Sequence, residues 1–166
     1  MSQAEPIQSV GPASPRRVAK DQHRVLLARI GVERFAFALA ELIEAVDAPE
    51  VEPVALAAAG LAGQCAHRGR LLPVFDGGQL LGVERSTGDG ALLVLEGPSG
   101  RFGILVDDVE DMVFAPRKAW RVLPGASGSG ASNLRALLAL EDGIAALVDV
   151  AAVHATVAAR LRSAAR

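Results

Sequence analysis

The sequence has few of the residues that build disulfides and aromatic cores. Its 166 residues include one cysteine, one tryptophan, five phenylalanines and no tyrosine. The single thiol, Cys65, excludes an internal disulfide bond and an all-cysteine metal site, and it fits a reducing compartment. Because aromatic residues make up only 4% of the chain and apolar residues 51%, we expect a core of valine, leucine, isoleucine and alanine.

A strong net charge and long apolar runs are also missing. The formal net charge is -2, which gives no basic field for a phosphate backbone, so we expect no nucleic-acid partner. No apolar run approaches the roughly 20 residues that cross a bilayer, and residues 1–20 lack the apolar stretch of a secretory signal. These absences predict a cytoplasmic protein that does not insert into a membrane.

Residues 1–22 differ in composition from the rest of the chain. They are rich in proline, serine and glutamine and carry a basic group at Arg16, Arg17 and Lys20. Such a segment cannot bury enough apolar surface to offset the entropy lost on ordering. We therefore expect a disordered N-terminal tail.

Short apolar segments joined by turn signals predict a fold made of β-strands. The predicted hairpins and strands are, in chain order, 25–39, 64–75, 91–106, 108–114 and 134–148. In the second hairpin, arms at 64–68 and 71–75 flank a turn at Gly69-Arg70. Residues 41–47 fit either a strand or a helix face. About ten strands are too many for one small barrel, so we expect an all-β fold of two linked barrels.

Four smaller features complete the predicted fold. The alanine-rich segment 54–63 favours a turn or two of helix, and 125–132 is typical of a flexible loop. Pro73 removes a ladder donor, so its strand lies at a sheet edge or turns the free position outward. Helical spacing predicts a C-terminal helix that packs on a barrel through Val150, Val153, Val157 and Leu161.

No clear catalytic cluster is visible in the sequence. The three histidines are far apart and none has metal-ligand spacing. Cys65 and His67, with Asp76, leave open a small-ligand or catalytic domain, although no third group is evident that would orient a Cys-His pair. The interpretation we favour is a buried cysteine and a protein that is not an enzyme and has no cofactor.

Two charged groups allow a functional or a purely structural interpretation. The acidic stretch from Asp107 to Asp111 offers oxygen ligands, but it lacks the spacing of a calcium loop and fits a solvated strand end better. Arg68 and Arg70 at a hairpin tip could hold a carboxylate with paired hydrogen bonds, or could only keep the hairpin soluble.

Four blocks of the sequence together resemble the CheW family of chemotaxis coupling proteins. Taken one at a time the blocks are weak signals, but their order and spacing are kept from about Val25 to Val153. The blocks are the opening hairpin 31–37 with 42–46, the signature 63–76, the strand 102–109 and the closing hairpin 140–149.

The resemblance implies a fold and a function. It implies two intertwined, five-stranded, SH3-like barrels over residues 23–165, and a non-enzymatic scaffold that bridges a CheA-type histidine kinase and the cytoplasmic tip of chemoreceptors. In the family a receptor helix lies in the groove between the barrels, and exposed strands pair with the kinase. The implied partner-binding residues are Glu44, Val46, Arg68, Gly69, Val106, Asp107 and Val109.

Two departures from the family pattern keep a second interpretation open. Ala66 and His67 stand where the family signature has an amide and an apolar residue, and Gly77-Gly78 follows Asp76 in place of Leu-Arg. An adaptor of a non-motility chemosensory pathway, such as one that controls pili, is therefore an alternative to a motility coupling protein.

Overall fold

Eleven β-strands and two α-helices form the part of the chain that the structure describes. The computed structural model describes residues 24–86, 90–98, 100–122 and 133–165. The strands are β1 Arg24–Ile30, β2 Glu33–Ala38, β3 Leu42–Asp47, β4 Leu61–His67, β5 Arg70–Asp76, β6 Ala91–Gly97, β7 Gly100–Val106, β8 Asp108–Phe114, β9 Trp120–Val122, β10 Leu134–Leu140 and β11 Gly143–Val148. The helices are α1 Gly77–Leu81 and α2 Val150–Ala164, and 3-10 turns occupy Leu39–Glu41 and Arg117–Ala119.

The strands form two barrel-like sheets, as predicted. One sheet has the order β8-β1-β2-β11-β10-β9 and the other the order β3-β6-β7-β5-β4. The first therefore has six strands rather than the five expected, because the three-residue β9 was too short to detect. The chain starts in the six-stranded sheet, runs through the five-stranded sheet and returns at β8. Two pairings, β11 with β2 and β5 with β7, are parallel.

The central strands are buried on both faces. In β1, Val25 and Leu27 face the interior of the six-stranded sheet, whereas Leu26 and Ile30 face a core that both sheets share. The same alternation in β6 and β7 divides their side chains between the shared core and the interior of the five-stranded sheet. Strands buried on both faces read as continuous apolar runs, which is why these segments were conspicuous in the sequence.

The C-terminal helix closes the shared core. As predicted, α2 buries Val150, Val153 and Val157 there, and Leu161 packs against them. The Asp149 carboxylate caps the helix by accepting a hydrogen bond from Ala152 N at 3.1 Å. Such N-caps stabilise a helix by about 1 kcal/mol.

The β4–β5 hairpin differs from the prediction by one residue. His67 pairs with Arg70, so the turn is Arg68-Gly69 and not Gly69-Arg70. Strand β5 lies between β4 and β7, so an edge position for Pro73 was wrong. Pro73 is tolerated because it precedes the parallel pairing with β7, which begins at Val74.

One predicted helix is absent, and one short helix was not predicted. Residues 54–60 contain no helix, because Glu52 and Gln64 exchange backbone hydrogen bonds and hold the segment beside β4. Conversely, α1 was missed because Gly77-Gly78 is typical of a turn. Its signals were Asp76, which caps Gln79 N, and the left-handed Gly82 that ends the helix.

The ambiguous segment 41–47 resolves mainly into strand β3, while Leu39, predicted as strand, begins a 3-10 turn. The predicted tail 1–22 and the predicted loop 125–132 lie outside the described residues.

A glycine in β6 allows α2 to dock. A Cβ at Gly97 would lie 1.9 Å from the His154 ring, which also packs against Phe102 with ring centroids 5.7 Å apart. We expect Gly97→Ala to lower the free energy of unfolding by about 1–3 kcal/mol through overpacking. The measurement is urea unfolding in a double-mutant cycle with His154→Ala. The loss should shrink once the ring is removed, and an equal loss in both backgrounds would contradict this account.

Candidate protein-binding site

Three side chains meet where the five-stranded sheet closes on itself. Glu44 lies on β3, and its Oε2 is 2.6 Å from His67 Nε2 at the end of β4. Arg68 donates from Nη2 to the other oxygen, Oε1, at 2.7 Å. Because β3 and β4 are the two edge strands of this sheet, the Glu44–His67–Arg68 cluster joins its edges.

The backbone at Arg68 is in an uncommon conformation. Arg68 has φ 50°, the one positive φ at a non-glycine residue in the described part of the chain, and Gly69 follows with φ 78°. Positive φ at both central positions is the geometry of a type I′ hairpin turn. For a residue with a Cβ the left-handed region costs roughly 1–2 kcal/mol, and the Glu44 hydrogen bond helps to hold it.

The cluster orients the Arg68 side chain and still leaves most of it exposed to solvent. Its side chain is 61% exposed, whereas that of His67 is 9% exposed. The hydrogen bond with His67, and to a lesser extent that from Arg68, holds the pKa of Glu44 below its ordinary value. The carboxylate is therefore charged at neutral pH. An arginine has five donors in a rigid fork, and the hydrogen bond to Glu44 uses one of them.

Neighbouring residues extend this surface. Leu71, on the strand that follows the turn, is 68% exposed, and Gly69 has open space around its Cα. Val46, two residues after Glu44, is half-buried against the interior of the five-stranded sheet. The sequence analysis did not single out Leu71, although alternation with the buried Leu72 was the signal that could have found it. Arg68, Gly69 and Leu71 form what we call the hairpin patch.

A second group of predicted residues lies where the chain crosses from β7 to β8. The Asp107 side chain is only 6% exposed. Its Oδ2 accepts hydrogen bonds from Gly31 N at 2.6 Å and Ser86 N at 2.8 Å. Arg85 lies between two carboxylates, 3.4 Å from Asp107 Oδ1 and 3.2 Å from Asp76 Oδ2. This Asp107 cluster ties both sheets together.

Val106 and Val109, which are close to Asp107 in the chain, pack in the interior. Val106 is fully buried in the shared core, and Val109 is half-buried against it. Any part that Val106 and Asp107 play in binding is therefore indirect, through the position of the surface above them. The sequence analysis missed Arg85, because its partners are 9 and 22 residues away.

The surface above the Asp107 cluster is a groove between the sheets. A cavity of about 500 Å³ lies between the β1–β2 turn, residues 31–33, and the segment 83–86. Val32 on its rim is 93% exposed. Gly31 admits the close approach, because a Cβ there would lie 2.2 Å from Glu84 O. We call this cavity the inter-sheet groove.

The residues considered for catalysis do not form a catalytic group. Cys65 is 4% exposed in the interior of the five-stranded sheet, and burial raises the pKa of its thiol. His67 contacts Glu44, and Asp76 caps α1 and binds Arg85. A thiol with a raised pKa is a poor nucleophile near neutral pH.

Neither a metal cluster nor a membrane span is found in the parts of the chain described. Over those residues no three His, Cys, Asp or Glu side chains are placed to hold a metal ion. In the same ranges, no helix has the length and apolar character needed to cross a bilayer. Two carboxylates of the acidic stretch considered as a cation site have other partners, since Asp107 binds backbone amides and Glu110 binds Arg34 at 3.0 Å.

The fold and the exposed surfaces define a protein built from two SH3-like barrels that share a core. The sequence pattern of the CheW-like domain matches residues 24–157, so the chain belongs to the CheW-like domain family. Among solved structures, it is similar to the scaffolding protein TtCheW from Thermoanaerobacter tengcongensis. That similarity has a TM-score of 0.73 at 13% identity and covers 80% of this chain and 92% of the other. No curated protein matches the sequence.

The Asp107 cluster predicts a loss of stability in acid. Burial alone would raise the pKa of Asp107, but hydrogen bonds from Gly31 and Ser86 and the charge of Arg85 hold it below its ordinary value. A group whose pKa is lowered on folding stabilises the fold above its unfolded pKa, and this contribution disappears as pH falls through the folded pKa. We expect the melting temperature to decrease as the pH is lowered below about 4. Asp107→Asn should make this decrease smaller and should also lower the melting temperature at pH 7. An unchanged acid profile would contradict the assignment.

Burial of Cys65 predicts an unreactive thiol. In the native protein at pH 7.5, Cys65 should react with a thiol reagent far more slowly than it does in denaturant, since thiolate formation and access are both suppressed. The measurement is the rate at which a chromogenic thiol reagent releases its coloured product, with and without urea. Equal rates would indicate an accessible, activated thiol and would revive the catalytic interpretation.

Proposed function

We propose that this protein is a non-enzymatic coupling scaffold that bridges a CheA-type histidine kinase and the cytoplasmic tip of chemoreceptors in the cytoplasm. Membership of the CheW-like domain family supports a scaffold of this class. The finer assignment is what the resemblance to the CheW family implies, and the exposed surfaces described above support it, because a bridging protein needs two separate binding surfaces.

One observation carries the receptor side of the proposal. Arg68 adopts a costly backbone conformation and is fixed by Glu44, yet most of its side chain is exposed. Strain and orientation without burial indicate selection for something outside the chain. We assign Arg68 the role of binding a carboxylate on the receptor helix, with Leu71 as an apolar contact beside it.

The inter-sheet groove supplies a place for the apolar side chains of that helix. An amphipathic helix binds by laying its apolar face into such a groove, and the exposed Val32 offers it an apolar contact. Asp107 and Val106 would hold the groove in shape from below. Glu44 and Val46 would do the same for the hairpin patch, in which Gly69 completes the turn.

The kinase would dock on a separate face, through an exposed edge strand. Strand β8 is an edge of the six-stranded sheet and carries the exposed Met112. An edge strand presents backbone groups that can pair with another chain. Val109, on the same strand, would set the position of that edge against the core.

Arg68→Glu tests the receptor side. We expect it to weaken capture of a receptor cytoplasmic fragment roughly thirtyfold, the equivalent of about 2 kcal/mol, while leaving kinase binding unchanged. The measurement is binding to the chemosensory kinases and receptors encoded in the same genome. The identity of the kinase that binds also shows whether the protein acts in a motility pathway or in a pathway with another output.

Charge-swapped pairs separate binding from folding. The double variant Glu44→Arg with Arg68→Glu keeps an ion pair at the hairpin but loses the contact between Glu44 and His67, so it should fold with reduced stability and still fail to capture the receptor. The matched control is the double variant Glu96→Arg with Arg101→Glu on the β6–β7 hairpin. In the native protein, Arg101 Nε lies 3.3 Å from Glu96 Oε1. The control should bind normally. Normal receptor capture by both double variants would sink the role given to Arg68.

A further inference from the structure

A second cavity lies at the end of the six-stranded sheet, away from the residues assigned above. Its volume is about 480 Å³, which is the size of a site for a small molecule. Its floor is apolar and buried, made of Ala38 on β2, Ala136 on β10 and Leu147 on β11. Ala136 is paired with both Leu147 and Val122, so the floor continues across three neighbouring strands.

The wall of this cavity offers apolar surface that the described residues leave open. Val122 is among the most exposed apolar side chains of the described residues. Trp120 stands beside it, and its Nε1 donates to Ala115 O at 2.7 Å, which fixes the indole ring. A ligand with an apolar side chain could pack between this ring, Val122 and the floor.

Charges of both signs line the same cavity. Glu41 has one carboxylate oxygen that is buried without a hydrogen-bond partner in the described part of the chain. Burial raises the pKa of Glu41, and the nearby charge of Arg135 opposes that rise only in part. Arg117 and Arg135 also line the cavity, and both are exposed at its rim.

This combination favours a ligand that carries both charges. An amine alone would make no contact with the two guanidinium groups, and a carboxylate alone would make none with Glu41, so each would use only part of the site. A ligand with both groups satisfies the site. We propose that the cavity binds a free α-amino acid with an apolar side chain, its ammonium at Glu41, its carboxylate at Arg117 and Arg135, and its side chain against Trp120.

The scaffold would on this account also sense a small molecule, a property that does not depend on either protein partner. Trp120 is the one tryptophan of the chain, which has no tyrosine, so its fluorescence reports on this cavity directly. We expect L-leucine to change that fluorescence saturably, with a Kd on the order of 1 mM or tighter for so small a ligand.

Two fragments of leucine and two variants test the recognition. 4-Methylpentanoate, which lacks the ammonium, and 3-methylbutylamine, which lacks the carboxylate, should each bind at least tenfold more weakly. Glu41→Gln should weaken leucine binding at least tenfold, whereas Glu96→Gln on the β6–β7 hairpin should not change it. Absence of saturable binding, equal affinity for either fragment, or wild-type affinity in Glu41→Gln would overturn the proposal.

Discussion

The carboxylate of Asp107 holds the point where the chain crosses from the five-stranded to the six-stranded sheet. It accepts backbone hydrogen bonds from the β1–β2 turn and from residue 86, and it shares Arg85 with Asp76. An almost buried carboxylate is costly unless several donors surround it. Satisfying Asp107 therefore fixes two loops and the relative position of the two sheets, on which the shared core depends.

The shared core in turn limits where function can reside. Strands β1, β6 and β7 are buried on both faces, so their side chains are committed to packing. Interaction with partners is left to turns, edges and grooves, where Arg68, Leu71 and Val32 are exposed. Such a molecule is suited to holding other proteins in place, since it has exposed surfaces around a packed core and, at Cys65, a thiol buried in the interior.

Local patterns predicted the strands and the hairpins, but contacts between distant residues were beyond their reach. Strands β1, β6 and β7 were found because burial on both faces leaves unbroken apolar runs. The parallel pairings, the three-residue β9 and the Asp107–Arg85 contacts were missed, since no local signal encodes them. Glu44 was singled out through the family resemblance, and Arg68 both through that resemblance and as a guanidinium at a hairpin tip. Their contact depends on closure of the five-stranded sheet, which brings together two residues that are 24 positions apart in the chain. Because the turn was misplaced by one residue, the positive φ of Arg68 was not predicted.

The central claim is that one molecule of this protein holds a kinase and a receptor together. The most direct measurement is co-sedimentation of the kinase with an immobilised receptor fragment, with and without this protein, using proteins from one genome. The account predicts that the kinase is retained in proportion to the protein added, up to saturation. Retention that is independent of the protein, or a kinase and a receptor that displace each other from it, would contradict a bridging role.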